Sequence, residues 1–154
     1  MGRLSYLMEV FVPPRCSCRG SCALTLIAAL HPSPLEAQLA LFRGSTTRTR
    51  HALVPSVVMT EGVVFLAKAA GAHWLTDVIA SYIHYARASQ EEFHVRRLVV
   101  DVVTHTGVIT MTDGDSDEAI VTQRLDYTDF PLVEITVWLV REGACWIMLL
   151  PSEY

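Results

Sequence analysis

The spacing of the apolar residues changes once along this chain, and that change constrains the fold more than any other feature of the sequence. Between Ser33 and Ala86 the apolar residues recur at helical spacing, most clearly in one stripe with the i, i+3, i+4, i+7 pattern of a buried helix face. That stripe consists of Leu75, Val78, Ile79, Tyr82, Ile83 and Ala86. From Phe93 onward, β-branched and aromatic residues recur at strand spacing. Helices followed by strands predict an α+β domain.

Three helices are predicted before residue 90. Ser33-Pro34 offers a hydroxyl cap and then a proline at the first helical position, and this helix is expected to end at Gly44. Thr60 is expected to cap the second helix, which Gly71 ends. The apolar stripe that begins at Leu75 predicts the third helix.

Five strands are predicted after the helices. They span residues 93–103, 107–112, 119–127, 133–139 and 145–150. The connections between them are too short for crossover helices, so neighbours in sequence should pair in antiparallel fashion. The sequence therefore predicts an α+β fold in which N-terminal helices pack on one face of a four- to five-stranded antiparallel sheet.

The first 33 residues do not fit this pattern and are interpreted as a disordered, non-native or signal-like extension, with residues 34–154 forming a single soluble domain. The apolar run from Cys22 to Leu30 is too short to span a membrane, which takes about 20 residues. A cytoplasmic protein is expected, and the alternative is export if residues 1–37 act as a signal peptide. Cys16 and Cys18 are close enough to Cys22 to hold a soft metal together, but we expect no bound metal and no cofactor.

The charge distribution argues against broad nucleic-acid binding. The chain has a net charge of -4, and residues 35–154 carry nine basic against fifteen acidic side chains. Binding to phosphates is driven by the release of counterions to a basic surface, which an acidic domain does not offer.

Four segments carry a resemblance to a known group of proteins. They are Gln38-Leu39-x-x-Phe42-x-Gly44, Gly71-Ala72-His73-Trp74-Leu75, Tyr127-Thr128-Asp129-Phe130-Pro131-Leu132 and Leu150-Pro151-Ser152-Glu153-Tyr154. In these segments the chain resembles an uncharacterised family of small proteins of unknown function from bacteria and mobile elements. That family usually has an aromatic residue at the position of Arg96. The resemblance implies no activity, cofactor or catalytic residue.

One set of residues would suit a small metal-dependent hydrolase. His73 and Asp77 lie one helical turn apart on the polar face of the third predicted helix. An imidazole and a carboxylate at that spacing can bind zinc or exchange protons, and Asp129 is a third candidate. The ordinary interpretation of the same residues is a solvent-facing stripe, so an enzyme is the alternative hypothesis.

The favoured hypothesis is a small non-enzymatic interaction or regulatory module that binds a protein partner. It rests on the small size, the acidic domain and the lack of a P-loop or nucleophile-elbow motif. Trp138 and Trp74 are the candidate binding residues, because tryptophan is enriched among the residues that dominate protein interfaces. Trp138 shares a predicted strand face with Glu134, so it would be a contact residue if no helix covers that face.

Overall fold

A seven-stranded sheet is the main element of the computed structural model, which describes residues 33–85, 91–116 and 118–154. The strands are β1 (Arg48–Arg50), β2 (Val57–Thr60), β3 (Phe93–Asp101), β4 (Thr106–Thr112), β5 (Val121–Leu125), β6 (Glu134–Glu142) and β7 (Cys145–Leu149). Their order across the sheet is β1-β2-β7-β6-β3-β4-β5. Neighbouring strands are antiparallel except for β2 and β7, which are parallel. The sheet is therefore mixed.

Short helices accompany the sheet. In the described residues they are α1 (Pro34–Leu39), α2 (Glu61–Ala69) and α3 (His73–Ser81), with 3-10 turns at Tyr82–His84 and Pro151–Glu153. The start of α1 agrees with the prediction, because Ser33 Oγ accepts a hydrogen bond from the Glu36 N–H (3.2 Å) and the Glu36 carboxylate accepts one from the Ser33 N–H (2.6 Å). This reciprocal pair satisfies two N–H groups at the helix start.

Alternate residues of the strands form the core with the helices. The buried strand residues include Leu98, Val137, Leu139 and Met148, and they share one apolar cluster with Val63 and Leu66 of α2 and Leu75 and Ile79 of α3. Successive side chains of a strand point to opposite faces of the sheet. These residues therefore define the inner face, whereas Val95, Arg97, Trp138 and Val140 lie on the outer face.

The predicted fold class is wrong. The sheet has seven strands instead of four or five, and two of them precede α2. The strand β1 is an exposed Arg-Thr-Arg segment and β2 has only four residues, so neither shows the alternation by which strands are recognised. The sheet is mixed because β2 pairs in parallel with β7, with Val58 opposite Ile147. Short connections predict the pairing only of strands that are adjacent in sequence, and β2 and β7 are separated by most of the domain.

The third helix is shorter than its apolar stripe predicts. The helix α3 ends at Ser81 and passes into the 3-10 turn Tyr82–His84, and Ala86 lies outside the described residues. The predicted N-terminal extension, with its cysteines and its apolar run, lies outside the described residues. None of the helices in the described part of the chain is long and apolar enough to cross a membrane.

Candidate functional site

A surface pocket joins two segments that are distant in sequence. Trp74 in the first turn of α3 and the residues Tyr127, Thr128 and Asp129 after β5 line a cavity of about 240 Å³, together with Leu125. Trp74 and Leu125 are half-buried and pack against the core, whereas Tyr127 is 72% exposed. The pocket therefore combines apolar surface with a phenol and a carboxylate. It brings together two of the predicted site residues, Trp74 and Asp129.

The segment after β5 is held in place by the turn between β3 and β4. The Thr128 N–H donates to the main-chain carbonyl of His105 (2.7 Å), and the buried Phe130 anchors the segment in the core. His105 has a left-handed backbone (φ 55°), which costs a non-glycine residue about 1–3 kcal/mol. Its ring stacks on Tyr127 with 5.8 Å between the ring centroids. This stacking places the phenol ring beside the turn at the edge of the pocket.

Exposed apolar side chains gather at the same end of the sheet. They are Val99 (44% exposed), Val102 (50%), Val103 (86%), Val133 (57%) and Tyr127 (72%). These five residues form a surface that we name the valine end. The Val100 N–H donates to the Val133 carbonyl (2.8 Å), which places Val133 beside the end of β3, and the ring of Tyr127 stacks on His105 of the turn that contains Val102 and Val103.

Carboxylates adjoin the valine end. Asp101, Asp126 and Asp129 are all exposed. The Asp101 carboxylate accepts hydrogen bonds from the N–H groups of Val103 (2.9 Å) and Thr104 (3.2 Å), and these bonds hold the pKa of Asp101 below its ordinary value of 3.8. The valine end is therefore an apolar surface bordered by negative charge.

Asp77 does not pair with His73, the partner that the helical spacing predicts. His73 is exposed, and Asp77 Oδ1 instead lies 3.0 Å from Nε2 of His51, a buried residue directly after β1. Nδ1 of His51 accepts hydrogen bonds from the N–H groups of Leu53 (3.3 Å) and Val54 (3.1 Å). Nε2 therefore carries the proton and donates it to Asp77. Both ring nitrogens are engaged in holding this loop against α3.

The three hydrolase candidates occupy different surroundings. Asp129 lines the Trp74 pocket, Asp77 contacts His51, and His73 is exposed at the start of α3. Within residues 33–85, 91–116 and 118–154, no group of three or more His, Cys, Asp or Glu side chains is placed to hold a metal ion. The cysteine cluster Cys16, Cys18 and Cys22 lies outside these ranges.

Trp138, the other candidate binding residue, belongs to an aromatic row on the outer face of the sheet. Its ring meets the ring of Phe93 edge-on at 5.3 Å and that of Tyr154 edge-on at 5.4 Å, measured between centroids. Phe93 lies on the neighbouring strand β3, and Tyr154 follows the last 3-10 turn. Trp138 is half-buried, so it packs Tyr154 against the sheet and leaves part of its ring exposed.

Glu153 is a polar centre that no spacing in the sequence predicts. Its carboxylate accepts hydrogen bonds from Ser45 Oγ (2.5 Å), Thr60 Oγ1 (2.5 Å) and the N–H groups of Gly62 and Leu150 (both 3.0 Å). Desolvation alone would raise the pKa of Glu153, but these hydrogen bonds outweigh it and hold the pKa below 4.5. Thr60 does lie at the start of α2, yet its hydroxyl donates to Glu153 and makes no capping bond. The feature of the sequence that could have drawn attention to Glu153 is the closing Leu-Pro-Ser-Glu-Tyr segment, which is one of the segments that carry the family resemblance.

Arg96 is a buried cation on the inner face of β3. It is only 2% exposed, and its Nε and Nη2 atoms find no hydrogen-bond partner within the described residues. The guanidinium carbon lies 5.9 Å from the centroid of the Tyr82 ring. Burial lowers the pKa of Arg96 to about 10. The side chain lies among Leu98, Ile109 and Val137, a site that an apolar residue would fill.

The fold and these sites define a class of protein. It is a domain in which short helices pack on a mixed sheet, and one end of the sheet exposes apolar side chains next to carboxylates. The chain belongs to a family described as a family of unknown function (DUF6876), which matches residues 33–154 and confirms the resemblance. It is also similar to a solved structure described as the protein of unknown function from Enterococcus faecalis, with 16% identity and a TM-score of 0.42 over 73% of this chain and 95% of that chain. Comparison with curated proteins gives no match.

Proposed function

We propose that this protein is a non-enzymatic interaction module that binds a protein partner through the valine end. One observation carries the proposal: four exposed valines and an exposed tyrosine lie at one end of the sheet, and the tyrosine also lines the pocket with Trp74 and Asp129. Single exposed apolar residues are normal on a protein surface, whereas exposed apolar groups that lie together mark contact surfaces.

The composition of the surface supports a protein partner. Valine side chains lose little rotamer freedom on binding, because branching at Cβ already restricts them. Tyr127 and Trp74 are of the residue types that dominate binding energies at protein interfaces. Exposed carboxylates border the apolar residues, and a polar rim around an apolar centre is the usual anatomy of such interfaces.

The alternative hypothesis, a metal-dependent hydrolase, receives less support. Its residues His73, Asp77 and Asp129 lie in separate surroundings, and Asp77 is engaged by the buried His51. A catalytic histidine needs a ring nitrogen free to exchange a proton. His51 has both nitrogens in hydrogen bonds, so the His51–Asp77 pair supports a structural role.

The experiment compares partner binding by the full-length chain and two variants. The tagged protein captures partners from a lysate of its source cells, and each captured protein is then purified and titrated against the wild type, Val103→Asp and Leu53→Asp. Val103 and Leu53 are both strongly exposed, at 86% and 73%, but only Val103 belongs to the valine end.

We expect Val103→Asp to weaken binding at least about tenfold, which corresponds to about 1.4 kcal/mol. The control Leu53→Asp should bind as the wild type does, and both variants should unfold at nearly the wild-type temperature because neither side chain is buried. Equal affinity of Val103→Asp and the wild type for every purified partner would refute the proposal. Equal weakening by both variants would also refute it.

A further inference from the structure

We infer that the Trp74 pocket (Trp74, Leu125, Tyr127, Thr128 and Asp129) accepts one basic side chain, Lys or Arg, of the protein that binds the valine end. The inference rests on the proposed function, because the pocket shares Tyr127 with the valine end. It goes further because it specifies the type of one side chain that the partner inserts.

Aromatic groups make the pocket attractive to a cation. Trp74 and Tyr127 both line it, and the π face of either ring attracts an ammonium or guanidinium group within about 6 Å of its centroid. The His105 ring stacks on Tyr127, and the hydrogen bond from Thr128 to the His105 carbonyl holds the adjoining backbone. Because the Tyr127 ring already contacts a neighbouring ring and its backbone is held, ordering it on binding costs less entropy than ordering a ring without such contacts.

The carboxylate of Asp129 favours a cation over an apolar group. Asp129 is exposed and forms no ion pair with another residue of the described chain. An apolar side chain in the pocket would remove water from the carboxylate without replacing its hydrogen bonds. A basic side chain replaces them with charge-assisted bonds. The exposed Asp126 beside Tyr127 adds a second negative charge.

The size of the pocket limits the occupant to one side chain. Its volume of about 240 Å³ lies below the roughly 300–1,000 Å³ of pockets that hold drug-sized ligands. The apolar surface of Leu125 and Trp74 suits the methylene stem of Lys or Arg, because such stems pack on apolar groups while the charged end meets polar ones. The pocket therefore fits a single basic side chain better than a nucleotide or another large cofactor.

The test uses three small probes and the purified full-length protein. N-acetyl-lysine methylamide and N-acetyl-arginine methylamide are the basic probes, and N-acetyl-norleucine methylamide is the uncharged control with an apolar side chain. The NMR signal of the Trp74 indole N–H, assigned with Trp74→Phe, reports binding at the pocket. Asp129→Asn removes the proposed charge partner. Asp115→Asn, an exposed residue of the β4–β5 connection, is the matched control for the change in net charge.

We expect at least one basic probe to shift the Trp74 signal in a saturable manner, and the norleucine probe to bind about fivefold more weakly or not at all. Asp129→Asn should weaken the basic probe by about fivefold, whereas Asp115→Asn should change its affinity less than about twofold. Added salt should weaken binding, because the carboxylate is exposed.

Three outcomes would overturn the inference: no saturable shift with either basic probe, equal binding of the norleucine probe, or unchanged binding in Asp129→Asn. The proposed function has a separate readout. If Val103→Asp weakens the partner while both basic probes leave Trp74 unaffected, the interaction surface stands and the basic side chain is refuted. If Val103→Asp has no effect on any purified partner, the proposed function fails and the inference fails with it.

Discussion

The main-chain N–H of Gly62 donates a hydrogen bond to Glu153 Oε1 at 3.0 Å, so the first turn of α2 is bound to a residue that follows the last strand. A Cβ atom at position 62 would lie 2.7 Å from Glu153 Oε2 and 2.7 Å from Leu150 Cδ1. Residue 62 must therefore lack a side chain for this approach. A carboxylate at a helix N-terminus is also favoured by the positive end of the helix dipole. Glu153 thus caps α2 from a distant part of the chain.

Replacing Glu153 with Gln should lower the free energy of unfolding by about 1–3 kcal/mol, because the amide NH₂ would face N–H and O–H donors and leave some of them unsatisfied. Urea unfolding measures the change. Glu61→Gln is the matched control, since Glu61 is exposed in the first turn of the same helix. It should change the free energy by less than about 0.5 kcal/mol.

The contribution of Glu153 should also depend on pH. Its pKa in the folded protein lies below the ordinary 4.5, so the stabilisation is complete above pH 4.5 and is lost as the pH falls through the folded-state value. The difference in unfolding free energy between the wild type and Glu153→Gln should therefore shrink in acid. A constant difference across that range would show that the carboxylate charge is not the cause.

The sign of the stability change in Gly62→Ala tests whether Glu153 and Leu150 lie close to residue 62. Alanine in place of glycine inside a helix ordinarily stabilises by up to about 1 kcal/mol. Here the new methyl group would displace Glu153 or Leu150 from its position, so we expect a loss of about 1–3 kcal/mol in urea unfolding. In a Glu153→Ala background the loss should be smaller, because one of the two crowding side chains is gone. A stabilised Gly62→Ala would contradict the described contact.

The sequence predicts the elements of this fold whose residues repeat a pattern over several turns or strand positions. The apolar stripe from Leu75 locates α3, and the β-branched run from Phe93 locates β3. The strand β2 is only four residues long and directly precedes α2, so its local pattern does not separate it from a loop. Its parallel pairing with β7 depends on contacts such as Val58 with Ile147, which no local spacing encodes.

Arg96→Met should stabilise the protein. Burial lowers the Arg96 pKa from its ordinary value to about 10, which corresponds to a penalty of about 3 kcal/mol for the buried charge. Methionine would fill the same apolar site without a charge, so we expect the free energy of unfolding to rise by about 1–3 kcal/mol. Because the folded-state pKa is lowered, the penalty is fully present below pH 10 and declines only above it.

The measurement for Arg96→Met is thermal and urea unfolding at neutral pH. Arg124→Met is the control, since Arg124 is an exposed arginine on β5 and should change stability by less than about 0.5 kcal/mol. Destabilisation by Arg96→Met would mean that the guanidinium makes favourable contacts that the described residues do not supply.

Asp77→Ala should destabilise the loop after β1. The change leaves the buried Nε2–H of His51 without its acceptor, which costs about 1–3 kcal/mol. Asp77→Asn keeps a carbonyl oxygen and should cost less, and His73→Ala should have little effect because His73 is exposed. Unfolding experiments give these values, and ¹⁵N NMR should show the proton of the His51 ring on Nε2. A proton on Nδ1 would contradict the hydrogen-bond assignment.

The sequence predicts individual residues of the candidate site but not how they are arranged. Trp74 and Asp129 are recognisable as candidates by their type and their motifs, but their meeting in one pocket depends on how α3 lies against the end of β5. His73 and Asp77 have the correct spacing for a pair on an isolated helix. The structure brings Asp77 to the buried ring of His51, which comes from outside the helix, and no spacing within the helix indicates that contact.

Trp138→Ala tests whether Trp138, one of the two candidate binding tryptophans, contributes to stability or to partner binding. Trp138 packs edge-on against Phe93 and Tyr154, so its loss should lower the free energy of unfolding by about 1–3 kcal/mol, less than the cost at a fully buried site because the ring is half-exposed. Partner affinity, measured well below the unfolding transition, should stay near the wild-type value because the proposed contact surface is the valine end. Tyr154→Ala removes one of the two ring contacts and should cost less stability than Trp138→Ala. Weakened partner binding with unchanged stability in Trp138→Ala would instead place the interaction on the outer face of the sheet.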